Sequence, residues 1–201
     1  MSQDQPDFLS FDPTGLRFAI VASRYNPQAV DRLLGAVLET LEKAGVDPAE
    51  IETIRVPGAH EIPYAVHMLC ETEQFDCLIA LGVVIAGATD HHTIIAETTS
   101  RSLVQLSTDT EVPVINGILT VGSMDEALER CDGRLARGRE FAHAALTMAD
   151  IKVHLEARVS DARERLAAED LFDDLNFLDD LKDMEDDDEE EEEDDVPPWK
   201  S

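Results

Sequence analysis

FDCLIALGVVIAGATDHH, residues Phe75–His92, changes character at its middle: an uncharged apolar run from Cys77 to Val84 gives way to Ala86, Gly87, Ala88 and then Thr89, Asp90, His91 and His92. An apolar run without period-two alternation is the mark of a parallel strand covered on both faces. The pattern after it predicts a helix over about Thr89–Leu106. Outward in both directions the same unit recurs. Leu16–Ala22 (LRFAIVA) is a strand, and Asn26 followed by Pro27 reads as an N-cap with proline in the first turn. Val30, Leu33, Leu34, Val37, Leu38 and Leu41 then keep helical spacing until Gly45. Ile51–Val56 is a strand before a helix at Glu61–Glu71, and Val112–Leu119 is a fourth strand. Ser123 and Glu126 form a capping box for the helix Met124–Cys131, and Arg137 to about His154 is the last helix. Four β-then-α units predict an α/β fold with a four-stranded parallel sheet and helices on both faces.

Bulk properties narrow the function classes. With 201 residues and 43% apolar composition, the chain has room for one well-buried domain plus appendages. Sixteen basic against 44 acidic residues leave a formal charge of −28, which repels nucleic acid and anionic membranes. Eighteen of the acids lie in residues 169–201, beside two lysines. Cys70, Cys77 and Cys131 form no even set and no Cys-x-x-Cys spacing, so neither disulfides nor a zinc site is expected. The N-terminus lacks the pattern of a secretory signal, no stretch approaches a membrane span, and a cytoplasmic location is expected.

In an open parallel sheet the ligand lies beyond the carboxyl ends of the strands, which here means the loops SRYNP, PGAHE, IAGATDH and TVGS. Tyr25 either covers the sheet edge or stacks on a flat heterocycle. In PGAHE, small residues allow close backbone approach, and Glu61 sits where a helix dipole stabilises a carboxylate with or without a ligand. Gly87, Ala88 and Thr89 precede a helix, offering N–H groups and a hydroxyl to a phosphate, although the spacing matches neither phosphate-loop fingerprint. His91 in the first turn is placed to move protons near neutral pH. Adjacent His91 and His92 do not face one point, and no third ligand stands at helical spacing, so no metal is expected. Arg130, Arg134, Arg137 and Arg139 form a basic cluster in an acidic body, suited to an anionic ligand or to helix ends.

Taken in order, SRYN (Ser23–Asn26), GAVLETLEKAGV (Gly35–Val46), VPGAHEIP (Val56–Pro63), FDCLIALGVVIAGATDHH, VPVINGILTV (Val112–Val121) and ALER (Ala127–Arg130) resemble the lumazine synthase family over about Leu16–Ile151. The resemblance implies a flavodoxin-like three-layer αβα sandwich, assembly from pentamers with active sites between neighbouring subunits, and no cofactor. The implied reaction joins 5-amino-6-ribitylaminouracil to 3,4-dihydroxy-2-butanone 4-phosphate, yielding 6,7-dimethyl-8-ribityllumazine with release of phosphate and water. It implies that Tyr25 stacks on the pyrimidine with Asn26 beside it, that Ala59, His60 and Glu61 lie along the ribityl chain, and that Val83, Val84 and Ile85 read the ring. Ala88 and Thr89 match the phosphate turn, His91 the proton-transfer histidine, and Arg130, from a neighbouring subunit, the phosphate arginine. Asn116 and His60 stand where the family commonly has phenylalanine, and Ala86 where it commonly has arginine. Arg137 takes the approximate place of a family lysine.

The expected organisation is an N-terminal arm at 1–14, the lumazine synthase-like catalytic domain at 15–155, a helical extension at 156–168 and an acidic, disordered tail at 169–201. From Met184 to Asp195 the sequence is almost pure acid, which favours a solvated tail. Leu171, Leu175, Leu178, Leu181 and Met184 recur at three or four residues, so the competing reading is an acidic amphipathic helix against a protein partner. Against catalysis stand a lumazine or flavin binder that kept the pocket without the activity, and a shell or scaffold that recruits partners through its tail.

Overall fold

Every side chain of Phe18–Ser23 (β1) is buried, as are the first seven of Cys77–Ile85 (β3), and these two strands lie side by side. Strands without a wet face need helices above and below, which is why their sequence is apolar but for Ser23 at the end of β1. The computed structural model describes residues 11–131 and 136–187, with side chains as far as residue 167. After β1 come α1 (Pro27–Ala44), β2 (Ile51–Val56) and α2 (Ile62–Cys70). After β3 come α3 (His91–Asp109), β4 (Val114–Val121), α4 (Met124–Cys131) and α5 (Arg137–Asp187). The sheet is parallel throughout in the order β2-β1-β3-β4, which places the two most buried strands at its centre. This is the α/β sandwich with a four-stranded parallel sheet that the sequence predicts.

Alternation along the strands sorts the core into two layers. Phe18, Ile20 and Ala22 of β1, with Cys77, Ile79, Leu81 and Val83 of β3, pack against Leu33, Val37 and Leu41 of α1, Ala127 and Cys131 of α4, and Ala142, Ala145 and Ala149 of α5. Ala19, Val21, Leu78 and Ala80 pack the opposite way, against Ile62, Val66 and Leu69 of α2 and Leu103 of α3. Register is pinned at the strand starts, where the Arg17 N–H donates to the Asp76 carboxylate (2.7 Å) and the Asp76 N–H donates to the Arg17 carbonyl (2.8 Å).

Helix ends follow the local sequence with one exception. Gly45 takes a left-handed conformation (φ 107°), and its N–H and that of Val46 donate to Glu42 and Leu41 carbonyls, closing α1 as expected. Ser123 caps α4, its Oγ accepting from the Glu126 N–H at 3.2 Å. Asn26 corrects the expectation of a side-chain cap. It occupies the residue before α1 with Pro27 behind it, but its backbone is left-handed (φ 53°, ψ 52°) and its side chain makes no cap hydrogen bond. The amide is committed elsewhere, donating from Nδ2 to the Val83 carbonyl at 2.8 Å.

The chain divides into two units, Met1–His154 and Leu155–Ser201. The sequence from Arg139 to Val196 contains neither glycine nor proline. Accordingly α5 runs on to Asp187, so residues 169–187, read from sequence as a disordered tail, have a helical backbone. Residues 188–201, most of the N-terminal arm and Arg134 lie outside the described residues. Among the described residues no helix is long and apolar enough to cross a membrane.

Two helical glycines test the packing in opposite directions. A Cβ on Gly138 of α5 would stand 2.6 Å from the Ala36 Cβ and 2.9 Å from the Leu33 carbonyl of α1, so Gly138→Ala should destabilise the protein by about 1–3 kcal/mol. Gly35 of α1 has open space around the same atom, so Gly35→Ala should stabilise it by about 0.5–1 kcal/mol. Denaturant midpoints measure both. All three cysteines are buried, and burial raises the thiols of Cys77 and Cys70 above the usual thiol range. At mildly alkaline pH, where free thiols react readily, the native protein should take up no thiol reagent until it is unfolded; mass spectrometry of the labelled protein reads the number.

Candidate active site

Parallel pairing brings the carboxyl ends of the four strands to one edge of the sheet. Ser23 is opposite Val56 and Ile85 is opposite Val121, while Ala22 is opposite Leu81. The last three residues of β3, Val83–Ile85, therefore project past the end of β1. The exposed backbone edge that this creates is where the Asn26 amide attaches.

The loops after β1, β2 and β3 are tied together there. The Arg24 N–H donates to the Val56 carbonyl (2.8 Å), and the Tyr25 N–H donates to the Pro57 carbonyl (3.2 Å). Asn26 then reaches Val83. Ala59 and Glu61 belong to a single 3₁₀ turn, Ala59–Glu61, that leads into α2. Ala59 is buried, and its carbonyl accepts from the Thr99 hydroxyl of α3 at 3.4 Å. His60 and Glu61 face solvent.

Gly58 shows how close these parts are. A Cβ built there would meet Glu61 Oε2 at 2.9 Å and the Tyr25 ring at 3.3 Å, so the ring and the carboxylate converge over a backbone without a side chain. Tyr25 is 71% exposed, so its ring is a platform rather than part of the core. Glycine is required here for space alone, since φ at Gly58 is −138°, a value open to any residue. Gly82 is similarly placed beneath: a Cβ there would touch Ile118 at 3.0 Å and Ala59 and Ile62 at 3.5 Å.

Beyond β3, Val84 and Ile85 are half-buried at the strand end, while Ala88 and Thr89 lie exposed in the turn before α3. The Ala86 N–H donates to the Val121 carbonyl at 2.8 Å, which anchors the start of this turn to β4. His91 is the first residue of α3 and is exposed. His92 points back, its Nδ1 lying 2.9 Å from the Thr89 carbonyl. The Asp90 side chain makes no cap hydrogen bond, and α3 presents its N-terminus to the same edge. An anion there would meet backbone N–H groups and a favourable dipole.

Two of the expected site residues are not part of this grouping within one chain. Asn116 lies inside β4 opposite Ala80, five positions before the strand's end, and its Oδ1 accepts from the Ile118 N–H. Arg130 sits in the last turn of α4, whose core residues belong to the layer of α1 and α5, whereas α3 and His91 cover the other layer. Its guanidinium donates to Glu126 Oε1 at 2.7 Å and 3.1 Å. Arg137 pairs in the same manner with Glu140.

Glu126 was legible in the sequence as a cap and has a second role that was not read. Its Oε2 accepts from the Gly122 N–H at 2.8 Å and its Oε1 holds Arg130. The Gly122 N–H foremost, and Arg130 after it, hold its carboxyl below the usual carboxylate range. The four-residue spacing from Glu126 to Arg130 was the available signal.

Residues 15–153 match the model of the 6,7-dimethyl-8-ribityllumazine synthase family. The chain is similar to the 6,7-dimethyl-8-ribityllumazine synthases of Halorhodospira halophila, 42% identical over 142 residues (70% of this chain and 91% of that protein), and of Salinibacter ruber, 41% identical over 143 residues (71% and 92%). The corresponding protein of Nitrosospira multiformis is 43% identical over 141 residues (70% and 86%). The matched region takes in every strand, and helices α1 to α4, around the edge where Tyr25, Glu61 and His91 gather, and the chain accordingly belongs to the 6,7-dimethyl-8-ribityllumazine synthase family, a family of enzymes.

Proposed function

We propose that this enzyme, a member of a riboflavin-biosynthesis family, condenses 5-amino-6-ribitylaminouracil with 3,4-dihydroxy-2-butanone 4-phosphate to 6,7-dimethyl-8-ribityllumazine, releasing phosphate and water. The observation that carries this reading is the convergence of the Tyr25 ring and the Glu61 carboxylate over Gly58, beside the projecting end of β3. A flat ring stacked on Tyr25 lies against the main chain of Val83, Val84 and Ile85. Its hydroxylated chain then runs along Ala59, His60 and Glu61, where the carboxylate accepts hydroxyl hydrogen bonds.

The phosphate of the second substrate sits on Ala88, Thr89 and the start of α3. That position brings the four-carbon ketone beside His91. The ring's primary amine attacks the ketone to give an imine and a first water. Phosphate leaves by elimination to an enol that tautomerises to a new ketone, and the ribityl-bearing amine attacks that ketone and closes the ring with loss of a second water. Each step moves a proton, and a histidine in reach supplies the group. Holding two substrates in register contributes the rest. No cofactor or metal takes part in this scheme.

Arg130 and Asn116 enter the same site from a neighbouring copy. Tyr64 and Met68 of α2, and Ile94 and Val104 of α3, are 50–73% exposed, and apolar surface of this kind favours an assembly that covers it. We assign a homo-oligomer built from pentamers, working in the cytoplasm. In it Arg130 exchanges its Glu126 partner for the substrate phosphate.

Turnover is read from lumazine absorbance and phosphate release with both substrates present. His91→Ala should lower kcat by about 10²–10⁴, whereas Arg130→Ala should chiefly raise KM for the butanone phosphate. Because the two residues come from different copies, dissociating and reassembling the two variants together should, at low butanone phosphate where both are impaired, restore part of the activity; no recovery would place Arg130 in its own chain's site. Absence of turnover above the uncatalysed reaction in the parent protein would end the enzymatic reading.

Gly58→Ala separates binding from folding. The new methyl must push aside Glu61 or Tyr25, so KM for the pyrimidine should rise by about 2- to 12-fold, the worth of one aromatic stack. Thermal stability should stay as in the parent, because both displaced groups are exposed.

A further inference from the structure

Leu155, Val159 and Leu166 of α5 are 49%, 47% and 61% exposed, and with Ala162 they recur at three or four residues along one face of the helix. At 3.6 residues per turn, Arg158 and Arg163 fall about 70° from the centre of that stripe, one on each side, Arg165 and Glu156 each fall about 90° away, and Asp161 and Glu164 about 130° or more. In a chain of net charge −28 this is an apolar face bordered by three arginines against one glutamate. A surface of that kind selects an acidic, leucine-bearing partner.

We propose that the stripe at 155–166 receives the segment 171–184 of a second copy of this chain. That segment carries Leu171, Leu175, Leu178 and Leu181 at helical spacing, with six aspartates against one lysine between residues 170 and 184. Its backbone is helical, as lateral packing of two helices requires. The occupant is another copy because α5 is continuous from Arg137 to Asp187. Along one helix Leu171 is carried about 24 Å from Leu155, at about 1.5 Å per residue, and a chain cannot fold back on itself without breaking that helix. Like stripes facing each other would oppose arginine to arginine. The acidic segment instead relieves both the apolar exposure of one copy and the self-repulsion of the other. The surface lies beyond residue 153, where the family match ends, so it stands or falls apart from the catalytic reading.

The test uses full-length protein, in which all native thiols are buried. Chains carrying Val159→Cys are mixed with chains carrying Leu175→Cys and joined with a short bis-maleimide. The mixed interchain product should exceed either self-product several-fold. It should fall several-fold in about 1 M salt, where the Debye length is about 3 Å. Arg158→Glu with Arg165→Glu should abolish it, and Asp174→Lys with Asp180→Lys on the other chain should restore it. Predominant Val159→Cys self-product would mean that the stripe meets itself. No interchain product would mean that no copy covers it, and cosedimentation of the parent protein with phosphatidylglycerol vesicles would mean that a bilayer does. Any of these three results overturns the proposal.

Discussion

β1 and β3 share the middle of the sheet with no side chain of β1, and only the last two of β3, reaching water even in part. Two such strands cannot stand at an edge, and they cannot be paired until helices cover both of their faces. That requirement fixes the order β2-β1-β3-β4, since the less apolar β2 and β4 take the outside positions. It also sorts the helices, with α1, α4 and α5 on one face and α2 and α3 on the other. Parallel direction then sends every strand-to-helix loop to the same edge. The site is a consequence of how the core is closed.

What turns that edge into a particular site is the length of β3. Its last three residues pass the end of β1, leaving main-chain groups without a strand neighbour on that side. Asn26 gives up the capping role that its position suggests and uses its amide on the Val83 carbonyl, at the cost of a left-handed backbone. The strap holds the first loop beside the third, and the second is held through Val56 and Pro57. A binding surface made of loops thus gains the rigidity of the sheet to which it is bonded.

Much of this was legible beforehand because it is local. Apolar runs gave β1 and β3, the repeating alternation of elements gave β2 and β4, Gly45 gave the end of α1, and Ser123 with Glu126 gave the start of α4. Tyr25, Glu61 and His91 were readable as site residues because a parallel sheet leaves only one edge for a ligand. The tail was read less well. Its acid content argued for disorder, whereas a run from Arg139 to Val196 without glycine or proline let α5 continue to Asp187.

The sequence by itself determined the element types, the parallel sheet and the family, since each depends on hydrophobic period, turn chemistry and the order of short motifs. Only the tertiary structure decided that Asn26 is a strap and not a cap, because its partner Val83 is 57 residues away. The same holds for Gly58, whose need for a missing side chain arises from a ring and a carboxylate brought there by two different loops. It also placed Arg130 and His91 on helices covering opposite faces of the sheet. Spacing along a chain reports neighbours within a turn or a strand; which distant groups compete for one atom is settled only when the sheet closes.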